Sequence, residues 1–244
     1  MSTATYQEIK GYELQEVLGE GGFGIVYRAY QPLVKREVAI KVIQAALSNH
    51  PEFVRRFEAE AQLVARLEHL HIVPLYDYWR DPSGAYLVMR LLRGGSLQES
   101  IHSGEEWTLD DVVRLIDQMG SALSTAHQVN IIHQDLKPGN ILLDKDRNAY
   151  LCDFGIAKDL GQEGILDDVA GAMVGTPAYV APEQIQGGDV TPQTDIYSLA
   201  LVLFEVLTGQ LAFQDSSISG LIIKQLTEPV PLISGIRRDL PPGI

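Results

Sequence analysis

His133 to Asn140 read HQDLKPGN, and the reading of these eight residues decides the rest of the chain. They set a carboxylate at Asp135, an ammonium two places on at Lys137 and an amide at Asn140, in a loop broken by Pro138-Gly139. Thirteen residues after Asn140 comes a second acidic turn, Asp153-Phe154-Gly155. Asn140 and Asp153 offer hard oxygen ligands, which suit Mg²⁺ held jointly with substrate phosphates. Asp135 is then left to orient a hydroxyl nucleophile. Either motif alone reads better as a plain acidic turn, so the decision rests on what surrounds them.

Upstream, YELQEVLGEGGFGIVYRAY places two β-rich runs around a glycine cluster, and REVAIKVI supplies a third. The cluster Gly19-Glu20-Gly21-Gly22-Phe23-Gly24 lets backbone N–H groups approach phosphate without side-chain interference. A dinucleotide-binding turn requires a helix directly afterwards, and IVYRAY is β-branched and aromatic, so that alternative is excluded. Period-two alternation puts Ala39 and Lys41 on one strand face, a small residue for a flat ring beside a cation for phosphate. The segment PEFVRRFEAEAQLVARLEH predicts a helix with Pro51 in its first turn and Phe57, Glu60, Val64 and Leu67 on one face. A buried cation and a buried carboxylate make sense mainly as partners, so Lys41 is expected to pair with Glu60. Strands around IVPLYDYW and AYLVMRLL flank a predicted turn at Asp81-Pro82-Ser83-Gly84. After Gly94-Gly95-Ser96-Leu97 the texture becomes helical, with a long helix predicted from Leu109 to Gln128. The predicted division is an extension over 1–11, a sheet-rich lobe over 12–90 and a helix-rich lobe over 91–244. Between two such lobes a ligand site is expected.

The 244 residues carry 19 Lys+Arg against 32 Asp+Glu, a net charge of -13, which repels nucleic acid and anionic membrane rather than recruiting them. A single cysteine, Cys152, cannot form an internal disulfide, which fits a reducing, cytoplasmic setting. The first residues hold no apolar run of signal-peptide type. The most apolar stretch, IYSLALVLFEVLTG over Ile196 to Gly209, is interrupted by Glu205 and reads as a buried core helix, not a membrane span.

The order of the motifs resolves the ambiguity. The glycine loop, VAIK, the helix glutamate, HxDLKPxN, DFG, GTPAYVAPE (Gly175 to Glu183) and DIYSLA (Asp195 to Ala200) follow one another as in eukaryotic-type, or Hanks-type, protein kinases. The chain resembles the bacterial Ser/Thr branch of that family over about residues 12 to 240. The resemblance implies an α+β bilobal fold and transfer of the γ-phosphate of ATP to Ser or Thr hydroxyls of a protein substrate, with Mg²⁺ or Mn²⁺. It implies that Leu18, Gly19, Gly21 and Gly24 cover the nucleotide and that Lys41, steadied by Glu60, holds the α/β-phosphates. Val26, Ala39 and Leu142 flank adenine, with Met89 as gatekeeper and the backbone of Arg90 to Leu92 as hinge. Asn140 and Asp153 bind the metal. Asp135 accepts the hydroxyl proton, Lys137 steadies the γ-phosphate, and Thr176 bridges Asp135 and Lys137.

Departures from the pattern carry information. Gln134 stands where many members have an arginine that grips a phosphate on the activation segment. Between Phe154 and Glu183 the only hydroxyls are Thr176 and Tyr179, so sensor and phosphosite are missing together. Activation without activation-segment phosphorylation is the expectation. A catalytically inactive nucleotide-binding scaffold is the rival. Ser96 and Gly139 are not acidic, so no preference for arginine-rich peptides is expected. Family members continue through two more helices after Leu240-Pro241-Pro242. These usually carry an arginine for Glu183, so the helix-rich lobe reads as incomplete and an orphaned carboxylate is expected; an excised piece, a longer parent chain with further domains beyond residue 244 and a natural truncation fit the sequence equally.

Overall fold

The computed structural model describes residues 8–21, 24–44, 57–58, 61–154 and 177–240. The chain divides into two compact units, Met1–Glu68 with Ile72–Arg93, and His69–His71 with Gly94–Ile244.

The first unit is an antiparallel sheet of six strands: β1 (Glu8–Ile9), β2 (Tyr12–Gly21), β3 (Gly24–Gln31), β4 (Arg36–Gln44), β5 (Leu75–Asp81) and β6 (Gly84–Arg90). Their spatial order is β1-β2-β3-β4-β6-β5. Residues 8–9, read from sequence as the end of an extension, pair with β2 through Ile9 and Tyr12. The predicted turn at Asp81-Pro82-Ser83-Gly84 joins β5 to β6, with Asp81 and Gly84 paired at its two ends. Alternation sorts the side chains. Ala29, Val38, Ile40, Tyr86 and Val88 join Tyr12 and Leu14 in one apolar cluster, with Tyr27, Val42 and Trp79 packed against it. The opposite face carries Val26, Lys41, Ala39 and Met89, which the registers Val26↔Lys41 and Ala39↔Met89 hold side by side.

The helix predicted over Pro51 to His69 is shorter than its apolar spacing suggested. Among the described residues 57–58 and 61–64 are helical. The segment tightens at its end through Leu67 N–H donating to Val64 O at 3.0 Å, so Leu67 lies beyond the helix. Phe57 and Leu67 of the predicted face are buried, as is Ala61 beside them, while Val64 is only half-buried. Glu60 lies outside the described residues.

Among the described glycines of the hairpin, Gly24 alone is required by the protein's own packing. Gly24 has φ +148, and a Cβ there would sit 2.1 Å from the Val42 carbonyl oxygen. At Gly19 and Gly21 an added Cβ meets nothing within 4 Å. Gly24→Ala is therefore expected to cost about 2 kcal/mol or more. Gly19→Ala and Gly21→Ala should stay within about 0.5 kcal/mol of wild type, as open-surface changes do. Urea denaturation of the three variants measures the contrast, and equal losses at all three would contradict it.

The second unit is mainly helical: α1 (Leu97–His102), α2 (Leu109–Gln128), α3 (Pro182–Ile185), α4 (Pro192–Thr208) and α5 (Ile218–Thr227), with a hairpin of β7 (Ile141–Leu143) and β8 (Ala149–Leu151). Ser96 and Glu99 form a capping box that starts α1, and Thr108 and Asp111 do the same for α2. Gly209, at φ +70, stops α4 in a left-handed cap. Residues 94–96 run alongside β7 through Gly94 N–H to Leu143 O at 2.9 Å and Leu143 N–H to Gly95 O at 2.8 Å. A side chain at Gly94 would strike the Asp144 carbonyl oxygen at 2.3 Å, so the glycine permits this close pairing. Among the described residues no helix is long and apolar enough to cross a membrane.

Candidate active site

In the sheet unit, β4 sets Lys41 and Ala39 on the face opposite the apolar cluster. Ala39 is buried, Lys41, Val26 and Met89 are half-buried, and Leu18 is exposed at the start of the glycine hairpin. Arg90, the last residue of β6, donates its N–H to Pro74 O at 3.1 Å, and Leu92 follows directly after the strand.

In the helical unit, residues 133–140 are held by one buried carboxylate. Asp195 is fully buried in the first turn of α4. Its Oδ2 accepts the N–H of His133 at 2.8 Å and is hydrogen-bonded to His127 Nε2 at 2.7 Å, while Oδ1 accepts the N–H of Gln134 at 2.8 Å. The clamp has work to do, since Gln134 sits at φ +65, a left-handed conformation that a side-chain-bearing residue adopts at a cost of about 1–3 kcal/mol. Gln184 of α3 holds the next peptide along, donating Nε2 to Gln134 O at 2.9 Å. The backbone of Gln134 thus takes part in positioning, in addition to the side-chain identity that the sequence draws attention to.

The clamped loop brings two donors, Lys137 and Asn140, to one oxygen of Asp135. Asp135 Oδ2 accepts Lys137 Nζ at 2.8 Å and Asn140 Nδ2 at 3.0 Å, and Asn140 Nδ2 also donates to Asp135 O at 2.7 Å. Because its nitrogen is turned to Asp135, Asn140 presents its carbonyl oxygen as the atom suited to a cation. Asp153, at φ +56, follows Cys152, whose N–H donates to Asn140 O at 3.0 Å and ties the two turns together. Leu142, half-buried on β7, is the remaining member of the predicted adenine set in this unit.

His133 is fully buried and hydrogen-bonded through Nε2 to Cys152 O at 2.8 Å, with its ring 4.8 Å from that of Phe154. Burial lowers its pKa, against the opposing pull of Asp195, Asp135 and Asp153, so the folded chain holds it neutral. The unfolded chain takes up that proton as pH falls past the ordinary value of 6.5, and stability is lost in that direction. The wild-type unfolding free energy should therefore fall more steeply from pH 6.5 to 5 than that of His133→Phe, by up to about 1.4 kcal/mol per pH unit. Urea midpoints over that range test this, and parallel slopes would refute it.

The segment preceding α3 is pinned by side chains that motif reading passed over. Pro177 O accepts Gln225 Nε2 at 2.7 Å, and Tyr179 O accepts Ser198 Oγ at 2.8 Å. Tyr179 OH donates to the buried Glu205, the charge that interrupts the apolar stretch of α4. Burial, and then the hydrogen bond and charge of Glu205, push the Tyr179 pKa well up, so the phenol stays a donor. The signal for Asp195 and Glu205 lay in the sequence: two carboxylates inside a helix otherwise apolar enough to be core must be matched by donors.

Several expectations are corrected or completed. Glu183 is not orphaned: Thr194 donates its hydroxyl to Oε1 at 2.6 Å, and α3 leaves the carboxylate only half-buried. Arg237 is engaged elsewhere, on Leu207 O at 2.7 Å and on Asp239. Thr176 lies outside the described residues, and Lys137 reaches Asp135 directly. Cys152 is a buried thiol donating to Asn140 O at 3.3 Å. His69 and His71 are hydrogen-bonded to Ser121 Oγ at 2.9 Å and Ala149 O at 3.0 Å.

Comparison with known proteins agrees with this geometry. Residues 12–239 match the protein kinase domain family. The chain is 39% identical over 230 residues to the serine/threonine-protein kinase PknH of Mycobacterium bovis, covering 94% of this chain and 38% of that one. It is 38% identical over 220 residues to PrkC of Bacillus subtilis, covering 90% and 34%, and 35% identical over 238 residues to PknA of Mycobacterium tuberculosis, covering 96% and 54%. The chain thus spans from about a third to about half the length of these curated relatives. The crystal structure of a point mutant of the Mycobacterium tuberculosis PknI kinase domain superposes with a TM-score of 0.75 at 27% identity, covering 98% of this chain and 86% of that one. With the motif order, the clamped HQDLKPGN loop and the match over 12–239 in agreement, the chain belongs to the protein kinase domain family, with the α+β kinase fold and the sequence character of its bacterial Ser/Thr members.

Proposed function

We propose that this chain transfers the γ-phosphate of ATP to Ser or Thr hydroxyls of protein substrates. The observation that carries the reading is the convergence of Lys137 and Asn140 on Asp135 Oδ2 in a loop held from below by Asp195. In this reading Asp135 accepts the proton of the acceptor hydroxyl, and Lys137 moves from it to the transferring phosphate. Asn140 and Asp153 form an all-oxygen donor set that fits Mg²⁺, with Mn²⁺ as a substitute. When bound, that ion neutralises phosphate charge. Lys41 holds the α/β-phosphates with Glu60, Gly19, Gly21 and Gly24 admit the phosphates, and Val26, Ala39, Leu142, Met89 and Leu18 surround the base. The backbone of Arg90 to Leu92 hydrogen-bonds the base, and Thr176 supports Asp135 and Lys137. The single, buried cysteine is in keeping with a cytoplasmic setting.

Transfer of radiolabelled phosphate to a generic protein substrate tests the proposal. Label that appears with wild type and disappears with Lys41→Met supports it; nucleotide binding with no label supports the scaffold reading instead. Gln134 adds a regulatory expectation. Treatment with an activating partner kinase should leave turnover within about twofold, because a carboxamide cannot grip a phosphate as a guanidinium does. A rise of about tenfold or more after such treatment would be the regulated behaviour that charged activation segments produce.

A further inference from the structure

A charged network lies on the same face of the sheet as Ala39 and Lys41. Arg28 is paired with Ala39 across β3 and β4, and Glu37 is paired with Tyr30, which places Arg28 and Glu37 diagonally on that face. Arg28 donates Nε to Glu37 Oε1 at 2.7 Å, adds a second bond from Nη2 to the same oxygen, and donates Nη1 to Glu16 Oε1 at 2.9 Å. The other oxygen of Glu37 receives Arg93 Nη2. Glu37 is thus the hub, with both carboxylate oxygens engaged and two guanidiniums converging on one charge.

Arg93 is the member with consequences. The β4–β6 ladder ends at the pair Val38↔Arg90, so residues 91 to 93 run on past the sheet's own pairing. At their start the Arg90 N–H is tied to Pro74 O. At their end the tie is the side-chain bond from Arg93 to Glu37. We propose that Glu37 is a positioning residue for the nucleotide: by receiving Arg28 and Arg93 together it fixes the far end of the segment Arg90 to Leu92 against strands β3 and β4. The inference rests on the assignment of that segment to the adenine made under the proposed function.

A surface ion pair alone would carry little weight. Here the carboxylate is 26% exposed, the pairing with Arg28 is two-pronged, and removing the hub sets two guanidiniums against each other. Glu16 is the built-in control. It is 61% exposed and bonds Arg28, whereas Arg93 bonds Glu37.

The test uses adenosine, which has no phosphate and so reports on the base end alone, together with KM for ATP and kcat. Glu37→Gln should weaken adenosine binding and raise KM for ATP by about threefold to tenfold, the scale of a partly exposed charge network, with kcat within about twofold. Arg93→Gln should do the same, and the double variant should be no worse than either alone, since both remove one tie. Glu16→Gln should change adenosine binding by less than about twofold. Adenosine bound equally by wild type and Glu37→Gln overturns the inference, as does a loss at Glu16→Gln equal to that at Glu37→Gln. A wild type that binds adenosine more tightly than Glu37→Gln yet transfers no phosphate supports the positioning role and removes the catalytic reading.

Discussion

Asp135→Asn should lower phosphate transfer by about 10²- to 10⁴-fold while the chain folds as well as wild type. The carboxylate is the point on which the loop's chemistry converges, accepting Lys137 Nζ at 2.8 Å and Asn140 Nδ2 at 3.0 Å. An amide in its place cannot take up the acceptor's proton. If its nitrogen turns toward the Lys137 ammonium, it also opposes a donor with a donor. Stability should barely move, because the side chain is 25% exposed and water can solvate the replacement. Single-turnover transfer of labelled phosphate, with thermal unfolding in parallel, separates the two effects. Retention of more than about a tenth of wild-type transfer would show that Asp135 is not the base, given the size of general-base effects.

The second large effect is structural and concerns Asp195. Asp195→Ala should destabilise the chain by about 3–5 kcal/mol, a substantial part of the roughly 5–15 kcal/mol typical of a folded protein. The carboxylate is fully buried and satisfies two backbone N–H groups and the His127 ring. Removing it leaves those donors in the interior without water, each at a cost of about 1–3 kcal/mol. It also releases the peptide that keeps Gln134 at φ +65. Asp195→Asn should fall between, since one amide oxygen can still accept while the new nitrogen meets donors. Urea unfolding with transfer assays on the same preparations checks this. An alanine variant within about 1 kcal/mol of wild type would mean that water or a neighbour replaces the clamp.

Asp135 and its loop partners are local in the sequence, whereas the donors that Asp195 satisfies are distant from it. The strands of the sheet unit and the helix Leu109–Gln128 were legible because alternation and periodicity are local properties of the chain. The helix ahead of Leu67 was legible in kind but not in extent. Its apolar spacing continues past Val64, while the backbone tightens and leaves the helix there. Asp135, Lys137 and Asn140 were legible as a set because eight consecutive residues contain them all. The partners of that set were not: His127 and Asp195 are 68 positions apart, and Tyr179 and Glu205 are 26 apart. The expected orphaning of Glu183 failed for the same reason, since a Thr194 hydroxyl eleven residues away supplies the donor.

What the sequence alone determined is the inventory of reactive groups and the order in which they occur, from the glycine hairpin through Lys41 and HQDLKPGN to Asp153 and Asp195. Those follow from local spacing and residue chemistry. The tertiary structure decided which carboxylate meets which donors: Asp195 under the loop 133–140, Glu205 behind Tyr179, and Glu37 between Arg28 and Arg93. The physical reason is that a buried or half-buried charge is satisfied by whatever the fold brings within hydrogen-bond distance, and that distance is a property of packing, not of position along the chain.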